Sequence, residues 1–394
     1  MRGLKRSPWL FSLGVLLAVL ALYRGFARAD VTSDRPGSIV VYPKVISDGV
    51  RDTLIQITNT GNMPVNAHCF YINTNADVPG VCSLTFSTPC TVDAQCPAGE
   101  TCVHCGETDF DIFLTSQQPT FWGVSAGRRV NLTDNVRGFD PGPIPGRGTD
   151  FVGELKCIAT TAPSATTPGQ PIMQNVLKGE ATIIPVGGGA DVSEYNAFTI
   201  QATGGATGND LALGTTYNAC PASLVVDHRA DGAVDTFTGL PVTSELTLVP
   251  CTEDLENQLP TRAILNLVVV NEFEQPLSAS LNFNCMLNQP LSSISSNFSR
   301  GVLGSDFAKT RITPSTSSIC YSGTNRNRIC STDADCPGFV TTTSGTKLGC
   351  RPVTGLLGVI EEFQSAKAGT GSAAVTAHLE GNRPGDVIIL PPTQ

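Results

Sequence analysis

Short runs of alternating apolar and polar residues, broken by Gly, Pro, Asn and Asp, recur along this chain. Ile39-Val40-Val41-Tyr42-Pro43 is followed by Leu54-Ile55-Gln56-Ile57-Thr58-Asn59 and then by Pro64-Val65-Asn66-Ala67-His68-Cys69-Phe70. A period of two in Val, Ile, Thr and aromatic residues predicts β-strands. The pattern returns as Leu246-Thr247-Leu248-Val249-Pro250, then Leu265-Asn266-Leu267-Val268-Val269-Val270-Asn271, then Pro276-Leu277-Ser278-Ala279 and on to Cys285. Both copies hold Asn, four residues, Pro, an aliphatic residue, one residue and Ala. The reading is two antiparallel hairpins, 53–59 with 65–73 and 263–271 with 277–285. Further strands are expected over Phe110–Leu114, Phe151–Cys157, Leu177–Ile184, Ser223–Asp227, Ala373–Leu379 and Val387–Leu390. Gly138–Gly148 reads as a Gly/Pro turn and Ala162–Pro171 as a Ser/Thr/Pro loop. The clearest helical candidate is short, around Val359–Gln364.

The cysteines sharpen this picture. There are 14, an even number, and each pattern copy is followed by a cluster. Cys82, Cys90, Cys96, Cys102 and Cys105 crowd one loop; Cys320, Cys330, Cys336 and Cys350 crowd another. Cys90-Thr91-Val92-Asp93-Ala94-Gln95-Cys96-Pro97 and Cys330-Ser331-Thr332-Asp333-Ala334-Asp335-Cys336-Pro337 share one core. Recurrence of several features in the same order predicts two tandem antiparallel β-sandwich domains of immunoglobulin-like type. Domain 1 spans 30–210 with a disulfide-rich loop at 82–105. Domain 2 spans 211–394 with a second such loop at 320–350, the boundary falling near Gly205–Thr215. Interleaved pairing within each loop, first with third and second with fourth, would pin a segment that has little core. Connectivity does not follow from sequence, and Cys220, Cys251 and Cys285 remain without an assigned partner. Cys69 and Cys157, in strand-like contexts, are candidates for an inter-sheet bridge, with Cys105 the rival partner for Cys69.

The amino terminus sets the compartment. Arg2, Lys5 and Arg6 precede an apolar stretch from Trp9 to Tyr23, and Ala27-Arg28-Ala29 is a small-x-small cleavage site. Residues 1–29 therefore read as a signal peptide, shorter in its apolar part than a membrane span requires. Disulfides are then the first reading of the cysteines. The expected location is extracytoplasmic: periplasmic, cell-surface or secreted, with no membrane span after signal cleavage. Charged residues make up 15% of the chain and the net charge is -9. Few charges with many Gly, Pro, Ser and Thr suit short strands and turns. The acidic balance argues against nucleic acid, whose binding needs Lys and Arg at the phosphates.

Two resemblances follow from these motifs. The Cys-x-x-Asp-x-x-Cys-Pro pattern resembles small secreted cysteine modules of the Dickkopf and EB kind, over 82–105 and 320–350 only. His68-Cys69-Phe70-Tyr71, Gly153-Glu154-Leu155-Lys156-Cys157, Tyr217-Asn218-Ala219-Cys220-Pro221, Leu248-Val249-Pro250-Cys251 and Asn271-Glu272-Phe273-Glu274-Gln275 resemble a family of uncharacterised secreted bacterial β-sandwich proteins. That resemblance implies a fold and a compartment but no activity.

Candidate chemistry is sparse. Asp227, Asp231 and Asp235, with Gly232, resemble a calcium loop, but Arg229 and Thr238 stand where two ligands belong. His228 beside Asp227 is a candidate general base with no nucleophile elbow nearby. Cys96, Cys102, His104 and Cys105 have donors suited to zinc, and Cys102-Val103-His104-Cys105 lacks the His that haem attachment requires, Gly106 standing there. Glu361 and Glu362 on a helix would point about 100° apart. Phe121-Trp122 reads as packing or a sugar platform. No P-loop or dinucleotide fingerprint occurs. No catalytic residue, cofactor or metal is assigned. The expected role is a structural or interaction module whose partner is an unknown protein or surface polymer. The alternative is a secreted hydrolase acting on polysaccharide or another extracellular polymer, which would need ionisable residues from different loops to meet in one cleft. A sensor part would need a closed pocket between domains.

Overall fold

Strand β1 (Ile39–Ser47) is buried at every position, although its sequence carries Lys44 in the middle. In the computed structural model this follows from its place between two sheets. The structure describes residues 30–391 apart from 76–79, 84–87, 130–139, 164–168, 188–191, 205–207, 259, 343–344 and 365–372. The expected export signal 1–29 and parts of the expected 138–148 turn, 162–171 loop and 205–215 boundary lie outside these residues.

The first half continues with β2 (Arg51–Asn59), β3 (Val65–Asn73), β4 (Gly80–Cys82), β5 (Pro89–Cys90), β6 (Cys102–His104) and β7 (Gly106–Leu114). It ends with β8 (Pro119–Gly123), β9 (Phe151–Thr160), β10 (Leu177–Pro185), β11 (Ser193–Asn196) and β12 (Phe198–Ile200). β12-β1-β9-β3-β7 form one layer and β11-β10-β2-β8 the other. The two layers are joined by the Ser47–Asp52 rung at the β1–β2 turn and, at the other end of β1, by the Gly37–Leu177 bridge.

The second half comprises β13 (Asp210–Ala212), β14 (Ser223–Arg229), β15 (Val242–Pro250), β16 (Glu253–Asp254), β17 (Arg262–Asn271) and β18 (Pro276–Asn284). Then come β19 (Leu287–Pro290), β20 (Phe307–Pro314), β21 (Ser318–Cys320), β22 (Ile329–Cys330) and β23 (Cys350–Pro352). β24 (Leu356–Gln364), β25 (Ala373–Thr376), β26 (His378–Glu380) and β27 (Val387–Ile389) complete it. A five-stranded sheet, β18-β17-β20-β14-β26, faces a four-stranded one, β19-β15-β24-β25. β13 and β16 flank β27, β16 running parallel to it.

The two halves share a core. Even-numbered Leu246, Leu248, Leu356 and Ile360 pack with the five-stranded sheet. Odd-numbered Val249, Leu357 and Val359 join a cluster with Ile39, Val41 and Ile158 of the first half. Because successive strand residues point to opposite faces, β15 and β24 are covered on both sides, as β1 and β9 are. That is why these four are buried almost throughout, their Ser, Thr, Lys and Glu side chains included.

Two expectations need correction. β24 occupies the segment expected to be helical, and it pairs with β15 over its whole length; a β-branched, doubly buried run belongs in a sheet whatever the pull of Glu361 and Glu362 toward helix. The first hairpin does not form. β2 lies between β10 and β8, whereas β3 lies between β9 and β7. The second hairpin does form, with Val269 opposite Leu277. The difference is legible in burial: β3 is covered at all positions except His68, which only an interior strand of a sandwiched sheet satisfies. β18 instead alternates between exposed and half-buried along most of its length, the pattern of an edge.

The matching asparagines perform one local task in both turns. Asn59 accepts from the Gly61 N–H and donates to the carbonyls of Met63 (2.8 Å) and Thr115 (2.9 Å). Asn271 accepts from the Phe273 and Gln275 N–H groups and donates to Leu303 O at 2.8 Å. The Asn59 N–H bonds to Gln118 O, as the Asn271 N–H bonds to Gln275 O, so the chain just before β8 fills the place beside Asn59 that the chain just before β18 fills beside Asn271.

Ala373–Leu379, expected as one strand, splits at Ala377: β25 pairs with β24, and β26 crosses to β14 in the other sheet.

Candidate functional site: buried ionisable groups at the seam

Charged side chains meet where the inner sheets of the two halves pack. A bulge between Tyr42 and Val45 breaks the β1–β9 register and turns Lys44 toward the second half. The bulge removes the ladder partners of Lys44's backbone, and one hydroxyl replaces both. Tyr195 Oη accepts from the Lys44 N–H (3.1 Å) and donates to Lys44 O (2.6 Å). Lys44 Nζ, fully buried, lies 2.5 Å from Glu245 Oε1 and 2.6 Å from Glu361 Oε2. Arg51 approaches Glu361 at 3.3 Å, and the Ser193 hydroxyl donates to it at 2.8 Å. Burial pushes the Glu361 carboxyl upward, but Lys44, Arg51 and Ser193 outweigh it and hold the group below its ordinary range.

A second cluster lies further along β9. Glu154 and Lys156 are two residues apart and so share a face. Lys156 Nζ sits 2.7 Å from Glu154 Oε2 and 2.6 Å from Glu253 Oε2, with Pro250 O at 3.4 Å. Burial opposes the lysine charge, but the two carboxylates prevail and raise its pKa. Glu154 is raised well above the carboxylate range by burial and by the neighbouring Glu253. Its Oε1 has no hydrogen-bond partner.

Beside this cluster Glu107, Glu253 and Asp254 line a narrow cleft with Ile72 and the Cys105–Cys285 disulfide. Burial, then Glu253, Asp109 and Asp254, push Glu107 up to about 8. The cleft holds about 20 Å³, room for a single water. Carboxylates from different elements therefore do meet, but in a space that admits no sugar ring or peptide.

The residues singled out by sequence lie elsewhere. Asp227 is exposed on β14 and faces Lys309 at 3.6 Å. Asp235 caps its own turn, accepting from the N–H groups of Phe237 and Thr238. Among the described residues, no metal-holding group includes Asp227, Asp231 or Asp235. His228 is buried; its Nδ1 lies 3.0 Å from Arg229 O and its Nε2 2.8 Å from Thr310 Oγ1. A carbonyl can only accept, so Nδ1 carries the proton and Thr310 donates to Nε2. Burial lowers the His228 pKa. Glu361 and Glu362, being on a strand, point to opposite faces. Glu361 enters the seam, while Glu362 accepts from the Arg229 N–H at 2.6 Å. Trp122 is buried and donates through Nε1 to Tyr71 Oη at 2.6 Å; Phe121 faces solvent.

Seven disulfides take all the cysteines. Cys82–Cys96 and Cys90–Cys102 interleave in the first module, as do Cys320–Cys336 and Cys330–Cys350 in the second. The thiolates of Cys96, Cys102 and Cys105 that zinc would need are thus bonded to carbon-borne sulfur. Cys69 and Cys157 are bonded to each other, but within one sheet: they are direct cross-strand neighbours on β3 and β9, with Cα atoms 4.0 Å apart. The expected inter-sheet bridge is therefore an intrasheet one. Cys105–Cys285 ties the two halves, and Cys220–Cys251 lies beside buried Asp386.

Sequence reasoning did not find Lys44, Lys156, Glu154, Glu253 or Glu107. One signal was present: a Lys inside the apolar run Ile39–Ile46, and the Glu154-x-Lys156 pair inside Phe151–Ile158, are charges on strands otherwise too apolar to face water. No protein-family model matches the chain, and the search of curated proteins gives no match.

Proposed function

We propose that the chain is an exported structural or interaction protein of the cell surface or extracellular space. In this reading it comprises two tandem immunoglobulin-like sandwiches, each bearing a disulfide-stapled module, with no catalytic turnover. One observation carries it: the ionisable groups that the fold gathers are engaged with one another in the seam, around a space fit for one water. Glycoside hydrolysis needs two carboxyl groups about 5–10 Å apart flanking an accessible bond, and the seam offers no such access. Seven disulfides agree with an oxidising compartment. The exposed runs Thr91–Gln95 and Ser331–Asp335, held by interleaved bridges, suit display on a stiff frame. The likeness of several motifs to secreted bacterial β-sandwich proteins supports the same role.

The test is a screen of mature protein, residues 30–394, against glycan, peptide and ester panels. No turnover is expected. Turnover abolished by His228→Ala or Glu107→Gln, in a variant whose circular dichroism is unchanged, would replace this reading with the hydrolase.

A further inference from the structure

Sheet edges are where strands recruit partners, and this protein treats its edges unequally. β7, at one edge of the first half, carries Glu107, Asp109 and Asp111, and its Phe113 N–H is taken by Pro141 O. β11, β19, β25 and β26 are three or four residues long. β18, the outer strand of the five-stranded sheet, is nine residues long and carries no charge: Pro-Leu-Ser-Ala-Ser-Leu-Asn-Phe-Asn.

The direction of its backbone groups follows from the hairpin's ends. The Asn271 N–H donates to Gln275 O and the Cys285 N–H to Thr261 O, in one continuous register. Antiparallel pairing alternates, so Leu277, Ala279 and Leu281 bond to β17. Ser278, Ser280 and Asn282 direct their N–H and C=O outward. Asn297 Nδ2 donates to Ser278 O at 2.7 Å and covers the first part of the edge. Ser280 and Asn282 follow it, both exposed.

We propose that this edge is a self-association surface, β18 pairing antiparallel with β18 of a second copy of the chain about a twofold axis at Leu281. Ser280 then lies opposite Asn282 of the other copy, and four backbone hydrogen bonds form. Two observations favour a second copy over a foreign strand. The edge side chains are small and uncharged, so self-pairing juxtaposes no like charges. The surroundings are complementary under this twofold. Exposed Glu272 and Glu274 lie at the tip before β18, and Arg262 and exposed Arg328 lie near its other end. Antiparallel pairing carries each acidic tip toward the partner's basic end. For a chain of net charge -9, local complementarity of this kind is what lets two copies approach. An isologous pair closes on itself and stops at a dimer.

The inference deepens the interaction reading and rests on it. The two fail separately: a monomer defeats the inference and leaves the absence of turnover untouched.

Sedimentation equilibrium of the mature protein tests it, with Ser280→Pro as the main variant. Proline here removes only an outward N–H, so β18 keeps its ladder to β17. Two donors vanish per dimer, and dissociation should rise about thirtyfold. Glu272→Lys/Glu274→Lys should weaken the dimer in the same way, and mixing that variant with Arg328→Glu should restore a heterodimer. Hydrogen exchange should show the Ser280 and Asn282 amides slowing as protein concentration rises. A monomer at all concentrations, a dimer indifferent to Ser280→Pro, or open-ended assembly overturns the proposal. So does slowing of those amides in a monomer only when an extended uncharged peptide is added, which would mark the edge as a site for foreign strands.

Discussion

Lys156→Met is the sharpest probe of the seam. Lys156 is 1% exposed, and its ammonium lies within 2.7 Å of two buried carboxylates. Methionine keeps the length of the stem and removes the charge, leaving Glu154 and Glu253 facing each other. Removing one partner from a buried ionic group costs about 3–5 kcal/mol, because the remaining charge stays desolvated. Replacing all three groups by apolar residues should recover most of the loss, because nothing charged is left buried. The pH dependence has a definite sign. Glu154 is raised above its ordinary range by burial first and by Glu253 second, so a proton on it favours the fold. Loss of the lysine charge raises it further. The defect of Lys156→Met should therefore be smallest in acid, below the ordinary glutamate pKa of about 4.3, and grow as pH rises. Urea unfolding of the disulfide-intact mature protein, followed by circular dichroism across pH, measures both effects. A Lys156→Met variant within about 1 kcal/mol of the parent at neutral pH, too small a loss for a broken buried pair, would falsify the account of the seam.

Other expectations follow from the same structure. Glu107, pushed to about 8, contributes stability that is full below the unfolded pKa of about 4.3 and is lost as pH rises through 8. Glu107→Gln should therefore flatten the decline of melting temperature over that window and exceed the parent at the alkaline end; an unchanged slope refutes the raised pKa. Removing Cys69–Cys157 as Cys69→Ala/Cys157→Ala opens an 88-residue separation and should cost about 2–4 kcal/mol, read by thermal unfolding; an unchanged melting temperature makes the bridge unimportant. The two modules should respond differently to deletion. Replacing residues 83–101 by a short Gly/Ser linker should leave the sandwich folded. Removing 321–349 takes Tyr321 and Leu348 from the cluster they form with Val387 and Ile389, and should lower the melting temperature of the second half. Equal tolerance of both deletions, measured by calorimetry, would contradict this packing.

Local chemistry made much of this protein legible from residues alone. Period-two runs located most of the long strands, though not β20, because a half-buried strand must alternate; most of the short strands went unseen. Cys82, Cys90, Cys96 and Cys102, crowded in a segment with little apolar content, implied a stapled loop, and so did their counterparts around Cys330 and Cys336. The buried asparagines at 59 and 271 were visible as a recurring Asn-x4-Pro. What each strand pairs with was not visible, because pairing is set by burial on both faces. The same turn motif therefore sends β3 across to β9 but folds β18 back on β17. The sign of Val359–Gln364 was misread for a related reason: a short apolar run bearing two glutamates has no decisive period, and only the sheet on either side of β24 decides it. The site was least legible of all. Lys44 and Lys156 stood out as charges on apolar strands, but their carboxylates come from β9, β15, β16 and β24, up to about 300 residues away in sequence. An ion pair is a contact in space, and a linear sequence records no contact until the sheets that carry its two halves have packed.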